Sequence, residues 1–149
     1  MPVLIRRALC SLPFAACLSI ATPAAWAQDS DAHSREVRAI IEAQLAAFQS
    51  DDGEKAFSYA SPSIREMFGT AERFMAMVRD GYPVVYRPAS VAFLVPEVVD
   101  ADLIQRVRMT DRTGAAWLAV YHMQRQPDRS WRINGCVIRR DDARTAALH

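Results

Sequence analysis

The chain has 149 residues, 51% of them hydrophobic and 23% charged, with 8 Pro and 5 Gly. That is too short for two ordinary domains and too apolar for a disordered chain. A formal charge of +1 sets up no field that would recruit nucleic acid or an anionic membrane surface, so neither is expected as a partner.

Arg6 and Arg7 precede an apolar run from Ala8 to Ile20, interrupted by Ser11, Pro13 and Ser19. Ala25-Trp26-Ala27 is then a small-x-small cleavage site ahead of Gln28. This is the pattern of a secretory signal peptide over residues 1–27, cut after Ala27, and the expected location is periplasmic or secreted. The run is short for a membrane span and no second one follows, so no stable span is expected after cleavage. Of Cys10, Cys17 and Cys136, the cut leaves Cys136 alone, which rules out an internal disulfide.

Residues 28–33 read as a mobile polar leader, residues 34–139 as one α+β domain, and residues 140–149 as a solvated tail. Val37, Ile40, Ile41, Gln44, Leu45 and Phe48 recur at helical spacing, and Ser34 is placed to cap that helix. Ser50-Asp51-Asp52-Gly53 ends it and caps a short helix over 54–60. Ser61-Pro62 is a cap with proline at the first helical position; Ile64, Met67 and Phe68 follow as inward residues and Gly69 as the stop. Thr70 caps a fourth helix carrying Phe74, Met75, Met77 and Val78. Gly81 is its expected left-handed end, and Pro83 forbids continuation.

Beyond Pro83 the hydrophobic period becomes two. Residues 84–87 suggest a short edge strand, 90–99 a strand disturbed at Pro96, and 103–111, 115–126 and 131–139 three longer strands. Arg112-Thr113-Gly114 and Pro127-Asp128-Arg129 are hairpin loops, with Gly114 in the left-handed position and Arg129 standing where a glycine would be safer. That register pairs Met109 with Trp117, Val107 with Ala119 and Gln105 with Tyr121. Across the second hairpin it pairs Met123 with Ile133, Tyr121 with Gly135 and Ala119 with Val137. One face carries Leu103, Val107, Met109, Trp117, Ala119, Tyr121, Met123, Trp131, Ile133 and Val137, and is apolar enough to pack on the helices. The opposite face carries Ile104, Arg106, Arg108, Leu118, Val120, His122, Asn134, Cys136 and Ile138. The expected architecture is α+β: N-terminal helices on one side of a curved antiparallel sheet that closes around a cone-shaped pocket.

Phe57-Ser58-Tyr59-Ala60-Ser61-Pro62-Ser63-Ile64, Met67-Phe68-Gly69, Phe74, Met77-Val78, Gly81-Tyr82-Pro83, Arg87-Pro88 and Trp131-Arg132-Ile133-Asn134-Gly135 together resemble one bacterial family. It is domain-of-unknown-function family 4864, small proteins of proteobacteria, and the resemblance runs from Val37 to Ile138. It implies a fold like nuclear transport factor 2, the cystatin-like cone. It brings no established activity and no catalytic residues.

The glycines are too dispersed for a dinucleotide fingerprint or a nucleophile elbow, and no Gly-Lys pair supports a phosphate loop. His33, His122, His149 and Cys136 have no metal-ligating spacing, so neither a cofactor nor a metal is expected. Gln105 and Tyr121 are the polar groups on the apolar face. With Trp117, and with Tyr59 and Tyr86 at the rim, they are the candidate lining of a ligand pocket. No catalytic residue is assigned, because proton transfer inside a cone needs a carboxylate or histidine there. The leading expectation is a non-catalytic exported module that binds a small apolar or amphipathic molecule or serves in association. The rival is a small cone-fold enzyme, an isomerase or hydrolase, using His122 or Tyr121; His122 and Cys136 would be diagonal neighbours able to form a thiolate pair. Ile104, Leu118, Val120, Cys136 and Ile138 make an apolar strip flanked by Arg106, Arg108, Gln124 and Arg132, the expected homodimer face.

Overall fold

A computed structural model of the chain describes residues 24–141, with side-chain surroundings from Asp29 onward. Most of the expected signal peptide, and all of the tail beyond Asp141, lie outside the described residues. Helix α1 (Ala24–Gln49) is followed by α2 (Gly53–Ser58), α3 (Pro62–Phe68), α4 (Ala71–Gly81) and α5 (Pro83–Tyr86). Strands β1 (Ser90–Phe93), β2 (Glu97–Val99), β3 (Asp102–Thr110), β4 (Ala116–Arg125) and β5 (Trp131–Arg140) complete the chain. The sheet is antiparallel in the order β1-β3-β4-β5, and β2 continues the line of β1 along the same edge of β3. The helices cover one face, where Val37, Ile41, Phe48, Phe74, Val107, Tyr121 and Met123 share one core.

Local signals place the helix ends. Asp52 accepts from the Lys55 amide at the start of α2, Ser61 from the Ile64 amide at α3, and Thr70 from the Arg73 amide at α4. Each cap satisfies one amide that the first helical turn leaves free. Gly69 ends α3 at φ 74°, a left-handed conformation that costs glycine nothing.

Several segments depart from the sequence-based expectation. The leader expected over 28–33 is helical, because neither Gly nor Pro interrupts 24–49. Ser34 consequently does not cap: its hydroxyl donates to the Ser30 carbonyl one turn back, at 2.8 Å. Gly81 is the last residue of α4 and is absent from the positive-φ residues; Tyr82 forms the cap. Residues 84–87 are not an edge strand. Pro83 starts the single turn α5, and Val84 and Val85 are both buried, which a helical turn permits and strict alternation does not. The strand expected over 90–99 is broken into β1 and β2 around Pro96, and the Gln105 amide donates to the Leu94 carbonyl inside the break. Met67, read as inward, is 73% exposed.

The first hairpin has the expected register: Met109 faces Trp117, Val107 faces Ala119 and Gln105 faces Tyr121. Gly114 supplies φ 82°. Asp111 organises the loop. It accepts from the Thr113 hydroxyl and amide at 2.6 and 2.9 Å, from the Ala115 amide at 3.0 Å and from the Trp117 indole at 2.9 Å. The Thr113 hydroxyl first, then the Trp117 indole, hold its carboxyl down at about 2. A carboxyl depressed in the folded state stabilises it above the unfolded-state value of 3.8 and loses that contribution as pH falls toward about 2. Denaturant midpoints measured between these limits should therefore drop with pH in the wild type and drop less in Asp111→Asn. An equal slope in the variant would contradict this.

In the second hairpin Met123 faces Ile133 as expected, but a bulge follows. Asn134 is the extra residue, so Tyr121 faces Cys136 rather than Gly135, and Ala119 faces Ile138 rather than Val137. The bulge is tied to the helices. Asn134 Oδ1 accepts from the Ser61 and Ser63 hydroxyls at 2.7 and 3.0 Å. Beside it, the Ser61 amide donates to the Ile133 carbonyl and the Ile133 amide to the Tyr59 carbonyl. A shift of one residue exchanges faces, so Cys136 and Ile138 turn toward the helices and Val137, 66% exposed, turns outward. Arg129 adopts φ 71° in the loop itself. The left-handed conformation costs a side-chain-bearing residue about 1–2 kcal/mol, so Arg129→Gly should raise the unfolding free energy by about 1 kcal/mol. A destabilised variant in a urea titration would refute this.

Candidate functional site

Between the helices and the sheet lies a cavity of about 400 Å³. Gln44 and Phe48 from α1 and Phe74, Met77 and Val78 from α4 form its helical wall. Tyr121 from β4 with Ile133, Gly135 and Cys136 from β5 form its floor. Ile64, Met67 and Phe68 from α3 border it, with the exposed Met67 at the rim. The wall is fixed by aromatic packing: the Phe74 ring lies 6.0 Å from Phe48, 5.2 Å from Phe57 and 5.6 Å from Phe68. None of the lining residues is acidic, basic or histidine.

Three residues bring oxygen-bearing polar groups to this lining: Gln44, Tyr82 and Tyr121. Tyr121 is fully buried; among the described residues its hydroxyl meets no oxygen or nitrogen partner, and the Cys136 thiol beside it is a weak one. Burial pushes that hydroxyl well above its ordinary value, so it keeps its proton. Gln44 is 3% exposed and donates through Nε2 to the Ala56 carbonyl at 3.2 Å. Cys136 lies beside Tyr121, and burial pushes its thiol up to about 12. A thiol so placed is not a nucleophile at neutral pH.

Of the five residues expected to line a pocket, the structure brings Tyr121 alone into this one. Gln105 lies on the same sheet face, but its amide is spent on the Leu94 and Arg106 carbonyls at 2.7 and 2.9 Å. Tyr59 packs half-buried against the core outside the lining. Trp117 sits at the far end of the sheet, with its indole on Asp111 and the Arg140 guanidinium 4.2 Å above its ring. The Tyr86 hydroxyl donates to Asp51, which also receives Arg79 at 3.3 Å and Arg87 at 2.9 Å. The Tyr86 hydroxyl first, then the two guanidiniums, hold the Asp51 carboxyl below its usual range. Asp51 is thus not a helix cap like Asp52 but an exposed clamp that joins the end of α1 to α4 and α5.

The bulge also revises the opposite face. Cys136 and Ile138 leave the apolar strip, and Ile104, Leu118 and Val120 are joined there by Val137. His122 remains outside, with Nε2 2.8 Å from Asp102 Oδ2. It pairs with Gly135, so Cys136 leaves the neighbouring strand on the other side of the sheet, and the His122–Cys136 pair does not form. A second polar cluster joins α1 to the sheet: His33 lies edge-on to Trp131 at 5.7 Å and 3.4 Å from Arg125 Nη1.

The helix-then-meander order and the cavity beneath a curved sheet define a cone of the nuclear transport factor 2 type. The chain belongs to the family described as Domain of unknown function (DUF4864), whose model matches residues 30–146. Among solved structures it is similar to a nuclear transport factor 2-like protein of unknown function from Silicibacter pomeroyi. The two are 19% identical with a TM-score of 0.52, over 74% of this chain and 98% of that one. It is also similar to Aln2 from a Streptomyces species, at 17% identity and a TM-score of 0.45, over 85% of this chain and 97% of that one. No curated protein matches the chain.

Proposed function

We propose that the protein is an exported, non-catalytic module that takes up a small apolar molecule in the cavity between α1, α4 and the sheet. The observation that carries this reading is a preformed space of about 400 Å³ with an apolar lining and no charged side chain. That size and composition suit a small-molecule site, and most of its walls come from helices and strands. The rival reading, an isomerase or hydrolase using His122 or Tyr121, loses support because His122 lies on the outer face and burial holds the proton on the Tyr121 hydroxyl, as it does on the Cys136 thiol. Methyl spectra of methionine-labelled protein titrated with naphthalene test the reading. Met67 and Met77 border the cavity, whereas Met109 and Met123 are buried elsewhere in the core. Saturable shifts of Met67 and Met77 that leave Met109 and Met123 in place support the site. No shift, or equal shifts of all four, would refute it.

Export is tested separately: protein from the periplasmic fraction should begin at Gln28, and intact Met1 recovered from the cytoplasm would refute it. Pairing of two copies through the outer face belongs to the same proposal, now through Ile104, Val120 and the exposed Val137. Sedimentation equilibrium should give a dimer that Val120→Arg dissociates; a monomer unchanged by that substitution would refute it.

A further inference from the structure

We propose that the open half of the β5 edge receives an extended segment of a second protein, added as a further strand with an acidic end on Arg139 and Arg140. Strand addition joins main chains, so it needs an edge whose amides and carbonyls are unpaired. The sheet has two edges. The one formed by β1 and β2 is short and broken at Pro96, which blunts it. On β5, residues 59–61 run parallel to the strand at Ile133. The Ser61 amide donates to the Ile133 carbonyl at 2.8 Å, and the Ile133 amide to the Tyr59 carbonyl at 2.9 Å. Pro62 then starts α3, and this cover ends.

Alternation identifies the groups left open. The Asp141 amide donates to the Ala116 carbonyl at 3.0 Å. Arg139 and Val137, two and four residues back, stand opposite Leu118 and Val120 and bond to β4 in the same way. The main-chain groups of Arg140, Ile138 and Cys136 therefore point away from β4, and no described residue offers them a main-chain partner there. No proline or bulge interrupts residues 136–140. Charge selects the occupant. Arg139 and Arg140 are exposed; the adjacent Asp141 pairs with Arg108 at 3.1 Å, and the Arg140 guanidinium lies over the Trp117 ring. Neither arginine has a carboxylate partner among the described residues. Residues 136–140 of a second copy carry no carboxylate, so self-pairing would leave both unmatched. An extended partner segment with Asp or Glu at that end matches the edge and the charge together. β-branched residues suit its centre, beside Val137 and Ile138. This site does not depend on the cavity.

The acetylated and amidated peptide Glu-Val-Thr-Val-Thr-Val-Glu is the probe, with the same peptide carrying lysine at both ends as its control. Amide hydrogen exchange and calorimetry on the whole protein read the outcome. Before peptide is added, the amides of Cys136, Ile138 and Arg140 should exchange faster than those of Val137 and Arg139. The acidic peptide should slow those three by at least about tenfold. The lysine peptide should bind at least about threefold more weakly, and Arg139→Glu combined with Arg140→Glu should reverse the preference. Slow exchange of the three amides before peptide is added would place the protein's own tail or a second copy on the edge and overturn the proposal. So would failure of the acidic peptide to bind, protection confined to β1, or equal affinity of the wild-type protein for the two peptides.

Discussion

Phe74→Ala should lower the unfolding free energy by about 3–5 kcal/mol, the range for truncating a buried phenylalanine. Phe74 is 6% exposed and lies at the centre of the aromatic group formed with Phe48, Phe57 and Phe68. Its removal takes away the buried ring area and three ring contacts, and joins the new void to the existing cavity. Water or a guest can enter a void that opens onto a larger space, so the loss should fall nearer the lower end of the range. Urea denaturation measures it. A loss under about 1 kcal/mol would mean that α4 is not the wall that holds this core together.

Ser61→Ala should cost about 1–3 kcal/mol, because one fully buried hydroxyl serves two purposes. It caps α3 by accepting from the Ile64 amide at 3.3 Å, and it donates to Asn134 Oδ1 at 2.7 Å. The substitution removes the cap and leaves the Asn134 oxygen with Ser63 alone. The same denaturation experiment reads the change. A variant within about 0.3 kcal/mol of wild type would show that the bulge in β5 holds without this link.

That link also marks where the sequence stops being readable. Ser61, Thr70, Asp52, Gly69 and Gly114 act within a few residues of themselves, so the helix starts, one helix end and the first hairpin follow from local chemistry. The bulge depends on Asn134 meeting a serine 73 residues earlier, and no local pattern announces such a meeting. Without it, β5 reads one residue out of register, which sends Cys136 and Ile138 to the wrong face and puts Cys136 beside His122. Val84-Val85 misleads for a different reason: two β-branched residues favour a strand locally, and burial of both after Pro83 overrides that preference. Within the site, Tyr121 is legible as a polar group on an apolar strand face. Gln44 and Phe48 are legible only as a helical stripe. Their place in a cavity wall depends on how α1 and α4 dock, which tertiary packing sets.

On the proposed reading, the space under the sheet receives a neutral apolar guest. A crystal structure of the protein grown with naphthalene checks this. The ring system should lie between Phe48, Phe74 and Ile133. A cavity holding only solvent, or closed by its own side chains, would contradict it.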